Sequence, residues 1–337
     1  DVLVLADGKS DTEDKKRKYE IIRFSGWKPV RRIKKARNLK KIIKNNEIET
    51  IFADSWKSIE YLAQINTKII VLAHGTEIPK KYFNNLYSIL NIKKRRIINS
   101  YLNCTAIAAN STYTRDLMIA SLKINSKKIK IIHPGIDIYK DFIKDEDRKS
   151  VKNIIGNSFP IITTLARVEK RKGHKYVINA LASLKSQFPN VLYLIAGKGP
   201  YLDKIKKKVI ALNLENHVIF LGWITEPEKS LVLQNSDLFI MTPTLVGESI
   251  EGFGMVFIDA AFHGVATIGT SSGGIADAIV HNKTGLICEE SNQNDITKTI
   301  KKLLTNDKLR THLGGNGRIR ARKEFSWESK VLEYLNI

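Results

Sequence analysis

The run Lys68-Ile69-Ile70-Val71-Leu72-Ala73 constrains the fold more than any other stretch of the chain. It is continuously apolar rather than alternating, as expected of a strand buried on both faces of a parallel sheet. Further stretches that read as strands precede and follow it: Val2–Ala6, Tyr19–Phe24, Thr50–Ala53, Cys104–Ala109 and Lys128–Ile132. Helical patterns separate them, over Lys28–Lys44, Lys57–Gln64, about 81–99, and from the good N-cap Ser111 onward. Strand and helix alternating in this way specify a doubly wound α/β sheet.

The pattern breaks at His133-Pro134-Gly135-Ile136-Asp137, and a charged segment runs on to about Lys152. A second α/β series then starts, with strands at Ile161–Ala166, Val191–Ala196, Val218–Leu221, Leu238–Met241 and Ala266–Gly269. Helices are expected at about 175–187, 201–212, 226–235 and 255–263, and a helical tail over 296–304, 309–323 and 327–335. The sequence thus predicts two similar domains, 1–140 and 141–325, with 326–337 as a C-terminal helix returning toward the first domain. A chain of 337 residues is long enough to give each a proper core.

Composition narrows the class. No apolar run reaches membrane-spanning length and the first residues do not read as a signal peptide, so a cytoplasmic location is expected. Two distant cysteines, Cys104 and Cys288, offer neither a disulfide framework nor a zinc motif, and seven scattered histidines form no H-x-x-x-H pair. Net charge is +22; through Asp145 the chain holds 30 basic and 15 acidic residues, and 26 and 19 follow. The excess concentrates in Lys28–Lys44, with nine Lys/Arg and no acid on a helix whose apolar positions are Ile33, Ala36, Leu39, Ile42 and Ile43. Such a helix suits an anionic membrane surface or is simply a solvated face. Nucleic acid would be favoured by charge alone, but no binding motif or aromatic platform accompanies it.

Chemistry-bearing residues cluster where expected strands end. Glu248 and Glu251 sit in a glycine-bearing loop after the strand at 238–241, and that loop enters a helix carrying Asp259. At the carboxyl edge of a parallel sheet such acids bind ligand hydroxyls; otherwise they complement a helix dipole. Arg167 and Lys172 follow the strand at 161–166, where fixed cations suit a diphosphate, although loop cations are commonly only solvated. Gly197-Lys198-Gly199 and Gly273-Gly274 are strand-to-helix turns that let backbone approach a ligand, or ordinary turns. His74 ends the strand at 68–73 and is placed to donate to a phosphate or sugar oxygen, or to serve structurally.

Taken in order, these motifs carry a resemblance. Ala166-Arg167-x4-Lys172-Gly173, Ile195-Ala196-Gly197-x-Gly199-Pro200, Phe220-Leu221-Gly222-Trp223, Glu251-Gly252-Phe253-Gly254-Met255-Val256-x2-Asp259-Ala260 and Gly273-Gly274-Ile275-x-Asp277 resemble the donor half of family-4 retaining glycosyltransferases of the GT-B fold. His74-Gly75-Thr76-Glu77 and Ile132-x-Pro134-Gly135-Ile136-Asp137 resemble the first half of that family. Within it, the phosphatidylinositol mannosyltransferase branch has a similar E-G-x-G-x-V/I run. The resemblance implies two Rossmann-like domains facing a cleft. It also implies that Arg167 and Lys172 grip a nucleotide diphosphate, that Glu251 contacts the donor sugar, and that His74 sits over sugar and diphosphate. Phe253, Gly254, Met255, Val256, Gly197, Gly273 and Gly274 would line the donor site. Asp259 would reach the ribose where the family usually has glutamate, and Asp277 likewise replaces a common glutamate. Glu248 has no matching position. The expected reaction is sugar transfer from a nucleotide-diphosphate sugar to a hydroxyl acceptor with retention. The acceptor would be lipid-linked or a polysaccharide intermediate, and the protein would dock peripherally through Lys28–Lys44. No metal ion or other cofactor is expected.

Family members begin with a further strand, glycine-rich loop and helix ahead of the strand at 2–6. The sequence therefore reads as a fragment whose first sheet lacks its first strand and has a gap at its centre. A degenerate, non-catalytic sugar-nucleotide-binding or scaffold module is the alternative function.

Overall fold

The computed structural model describes residues 1–62, 65–79, 89–136, 145–247 and 249–337. The chain divides into two compact units: Asp1–Ala109 with Arg115–Ile131 and Ile337, and Asn110–Thr114 with Ile132–Asn336.

In the first unit, β1 (Leu3–Asp7) pairs in parallel with β2 (Glu20–Phe24). A four-stranded parallel sheet follows in the order β3 (Thr50–Ala53), β4 (Lys68–Ala73), β5 (Ala106–Ala109) and β6 (Ile129–Ile131). Among the described residues no ladder joins the pair to the four-stranded sheet. The helices are α1 (Lys28–Asn45), α2 (Trp56–Ile59), α3 (Ile89–Leu102) and α4 (Thr112–Leu122). Residues 63–64 and 81–88, over which helix was expected, lie outside the described residues. Ile69, Val71, Ala73, Ile107 and Ala109 are buried with Ala36 of α1, Trp56 of α2, Ile97 and Tyr101 of α3, and Met118 of α4. The unbroken apolar run at 68–73 is thus explained by helices covering its sheet.

Helix α1 is less uniformly solvated than its charge suggests. Arg31 and Lys35 pair with Asp7 at the end of β1, at 2.9 and 2.6 Å. Arg32 (3.4 Å) and Arg96 of α3 both pair with Glu60, whose side chain is only 5% exposed. These cations fasten α1 to its own unit. Lys28, Lys34, Arg37, Lys40, Lys41 and Lys44 remain exposed on the outer face.

The second unit holds one six-stranded parallel sheet. In chain order its strands are β7 (Ile161–Leu165), β8 (Leu192–Ala196), β9 (Val218–Gly222), β10 (Leu238–Ile240), β11 (Ala266–Thr270) and β12 (Gly285–Cys288). Their order across the sheet is β12-β11-β10-β7-β8-β9. This is the doubly wound dinucleotide-fold order, and its direction reverses between β7 and β10. The helices are α5 (Asp145–Ile155), α6 (His174–Leu184), α7 (Leu202–Ala211), α8 (Glu226–Gln234), α9 (Met255–Phe262), α10 (Ile275–Ala278), α11 (Gln293–Thr305), α12 (Asp307–Glu324) and α13 (Trp327–Leu335). Alternate residues of β10 serve opposite faces: Leu238 and Ile240 pack with residues of α6 and α11, Phe239 with residues of α9. Two elements go beyond the sequence reading. The charged segment after residue 144 is helix α5, held by Val151 and Ile155 against Leu231 and Val232 of α8. Four-residue β12 adds the sixth strand.

Candidate active site

Reversal of strand order between β7 and β10 leaves an opening at the carboxyl edge of the sheet, and ligands of such sheets bind there. The loops after β7 and β10 both emerge at this point. Thr244 donates its amide to Arg171 O at 2.7 Å, and Thr242 Oγ1 donates to Gly173 O at 3.0 Å, so the two loops are fixed to one another. They carry Arg167 and Lys172 on one side and Glu251 on the other.

Their side chains form a ladder of alternating charge. Arg167 Nη1 lies 2.9 Å from Glu169 Oε1. The other oxygen of Glu169 accepts from Arg171 Nε at 2.9 Å. Arg171 Nη1 donates to Glu251 Oε2 at 3.0 Å, and Lys172 Nζ donates to the same oxygen at 2.5 Å. Lys172, Arg171, Glu169 and Glu251 are 11–21% exposed, whereas the Arg167 side chain is 68% exposed. Arg167 is therefore the cation most open to an incoming anion. Lys172 is nearly enclosed and already neutralised by Glu251. His174, just beyond Gly173, is 2% exposed with neither ring nitrogen hydrogen-bonded among the described residues. Burial, reinforced by the Lys172 charge, drives its pKa down to about 4. It is a neutral imidazole at pH 7.

The acidic loop is supported from behind. Gly274 donates its amide to Glu251 O at 3.0 Å, and Ser111 Oγ donates to Gly252 O at 2.7 Å. A Cβ on Gly273 would come within 2.1 Å of Glu251 O, and one on Gly274 within 2.1 Å of Gly252 O. No other residue allows this approach, and at φ +65° Gly273 also occupies left-handed backbone. The glycine pair thus seats the Glu251 loop, and one of its two amides is engaged in doing so. Phe253 is buried and stacks on His133, ring centroids 5.2 Å apart. Gly254 takes left-handed backbone and caps α9, which begins with Met255 and the half-buried Val256. Gly197 follows β8, its amide donating to Gly222 O at 2.6 Å. Asp259, on α9, faces Lys229 of α8 at 3.4 Å. Asp277 accepts from the Thr112 amide and lies 3.4 Å from His133 Nε2. Burial raises the Asp277 carboxyl, but His133 and Thr112 together bring it below its ordinary value. It ties Thr112 and His133 together within the second unit. Glu248 lies outside the described residues, as does Asp137.

In the first unit, His74 follows β4. Its amide donates to Glu77 Oε1 at 2.8 Å, and the Tyr101 hydroxyl donates to the same oxygen at 3.2 Å. Glu77 therefore orients the turn. Because Asp54 O can only accept, the His74 Nε2 at 2.9 Å from it carries the proton. In the neutral ring Nδ1 then holds the lone pair and accepts, rather than donates, a hydrogen bond.

Two ladder members, Glu169 and Arg171, were not singled out from sequence. They sit inside the Arg167–Lys172 motif, but Arg171 meets Glu251 across 80 positions of chain, which no local pattern reveals.

Residues 145–320 match the family model for glycosyl transferases group 1, and residues 1–140 match that for glycosyltransferase family 4. The chain belongs to this glycosyltransferase family. It is 25% identical over 304 residues to the GDP-mannose-dependent α-(1-6)-phosphatidylinositol monomannoside mannosyltransferase of Mycolicibacterium smegmatis, covering 88% of this chain and 77% of the relative. It is 28% identical over 270 residues to N-acetyl-α-D-glucosaminyl L-malate synthase of Bacillus anthracis, covering 80% and 67%. The fold is that of GT-B enzymes: the Anabaena protein HepE, solved with UDP and glucose, superposes with TM-score 0.77 at 18% identity over 99% of each chain. Among the described residues no helix is long and apolar enough to cross a membrane.

Proposed function

We propose that this glycosyltransferase moves a sugar from a nucleotide-diphosphate sugar to a hydroxyl acceptor with retention at the anomeric carbon. One observation carries the reading: Arg167 and Lys172 follow β7 at the strand-order reversal, and Glu251, after β10, is brought to Lys172 from 79 positions away. When the bond from the anomeric carbon to the diphosphate breaks, its electron pair passes to the leaving oxygen. Arg167 and Lys172 stabilise the charge that develops there. The acceptor oxygen bonds to the anomeric carbon from the same face, and its proton passes to the departing diphosphate. Glu251 shares one oxygen between two cations, which makes it a poor nucleophile and suits it to hold a sugar hydroxyl. Backbone at Phe253, Gly254 and Met255 holds the others. Asp259 reaches the ribose from its place on α9 beside Lys229. The two side-chain cations supply the positive charge that the leaving group requires, so the reaction proceeds without a metal ion.

The acceptor belongs to glycolipid or envelope-polysaccharide synthesis, as phosphatidylinositol monomannoside does for the mycobacterial relative. The exposed face of α1 docks the protein on an anionic membrane at its cytoplasmic side, with Trp27, 74% exposed, beside it.

The test is turnover of a panel including GDP-mannose, UDP-glucose and UDP-N-acetylglucosamine, with the product anomer read by NMR. Arg167→Ala and Lys172→Ala are expected to weaken GDP or UDP binding at least about tenfold, as loss of a charge-assisted contact implies. Absence of turnover together with unchanged nucleotide affinity in both variants overturns the reading. Nucleotide binding without turnover supports a non-catalytic module instead.

A further inference from the structure

Arg171 occupies the middle of the charge ladder. Its Nε serves Glu169 and its Nη1 serves Glu251, at 2.9 and 3.0 Å, and its side chain is 19% exposed. Arg167 lies at one end of the ladder and Lys172 at the other. Both ends each touch a single carboxylate, and both are the cations a diphosphate would recruit. Once Lys172 turns toward a bound diphosphate, Glu251 loses one of its two cationic partners. Arg171 is then the contact that remains.

We propose that Arg171 is a positioning residue. It holds Glu251 in place through the catalytic cycle, while Lys172 exchanges that carboxylate for the donor diphosphate. The inference rests on the glycosyltransferase reading above. It follows from the shape of the guanidinium: a planar fork presents Nε–H and Nη–H to two different carboxylates at once. A lysine at this position keeps the charge but places a single point donor, which cannot span Glu169 and Glu251 with the same fixed geometry. The ladder also explains how two cations bound for a dianion are tolerated before it arrives. Glu169 and Glu251 neutralise Arg167 and Lys172, and Arg171 keeps the two glutamates from repelling one another.

The decisive variant is Arg171→Lys, because it leaves the net charge of the site unchanged. Its kcat with the best donor is expected to fall about tenfold or more with little change in KM, the pattern of a contact needed in the transition state. Its affinity for GDP or UDP alone, measured by calorimetry, is expected to stay within about threefold of wild type, unlike that of Lys172→Ala. In an Glu251→Gln background, Arg171→Lys is expected to change kcat by less than about twofold, because a residue acting through Glu251 shows no separate effect once that carboxylate is gone. Thermal unfolding of each variant confirms that it is folded, and Arg171→Gln repeats the cycle if Arg171→Lys is not.

Three results overturn the proposal. One is nucleotide binding lost in Arg171→Lys as in Lys172→Ala, which makes Arg171 a phosphate ligand. The second is full activity in Arg171→Lys, which makes charge sufficient. The third is an effect that multiplies with Glu251→Gln, which makes Arg171 independent of it. Failure of the wild-type chain to bind GDP or UDP and to turn over any donor is a different outcome: it removes the glycosyltransferase reading itself, and this inference with it.

Discussion

His174 shows at the scale of one residue how site and stability are connected. It opens α6 directly behind Lys172, buried and neutral. Its folded-state pKa, about 4, lies below the ordinary histidine value of 6.5. Below pH 6.5 the unfolded chain therefore takes up a proton that the folded chain refuses. The unfolded state binds more protons in this window, so stability declines as pH falls from 6.5 toward 4 and changes no further below that on this account. The loss is on the order of 3 kcal/mol across the window, as a shift of this size implies. Urea unfolding of wild type and His174→Leu over this range checks it: the variant is expected to lack most of the slope. Equal slopes would mean that the imidazole is hydrated or paired in solution. Nothing in the sequence marks His174 in this way, because a histidine after Lys-Gly reads the same whether buried or exposed. Arg167, Lys172 and Glu251 were legible for the opposite reason: their types and spacing repeat a family pattern.

At the scale of the element, α1 carries two kinds of cation that composition cannot separate. Arg31, Arg32 and Lys35 face acids of their own unit, while Lys34, Arg37, Lys41 and Lys44 form an exposed stripe at helical spacing. Attraction to an anionic bilayer adds about 1 kcal/mol per cation near the surface and falls with salt. Changing Lys34, Arg37, Lys41 and Lys44 together to Gln is therefore expected to abolish cosedimentation with phosphatidylglycerol vesicles at low salt and to leave the thermal midpoint nearly unchanged. Arg32→Gln is expected to do the reverse. It leaves vesicle binding in place and lowers stability by about 1–3 kcal/mol, because the nearly buried Glu60 loses one of its partners. Vesicle binding that survives the fourfold substitution would reduce the stripe to a solvated surface. The same scale sets what the sequence reveals of the fold. Strands such as β4 and β8 are readable because continuous apolar runs need both faces covered. Helix α5 is not, because its two buried residues, Val151 and Ile155, are outvoted within an eleven-residue helix rich in charge. Strand β12 offered only Gly285-Leu286-Ile287-Cys288, too short for periodicity to act on.

At the scale of the whole molecule, sheet topology decides where charge is useful. The chain carries a net charge of +22. In the second unit, strand order reverses between β7 and β10, and the loops that leave those strands bring Arg167, Lys172 and Glu251 to one opening. A divalent ion in other phosphate-transfer sites neutralises a leaving diphosphate. Here Arg167 and Lys172 stand at that opening, paired with Glu169 and Glu251. Charge supplied in this way is fixed by the fold and does not depend on the medium. Turnover of a nucleotide sugar by this chain is therefore expected to stay within about twofold when magnesium is replaced by excess EDTA, whereas Lys172→Ala lowers it by about a hundredfold or more, the range found when one preorganised charge is removed from a transition state. Added magnesium is not expected to rescue that variant, because the charge it loses stood at a fixed position beside Glu251. Activity abolished by EDTA and restored by magnesium would show instead that the ladder positions the donor while a metal ion carries the leaving-group charge.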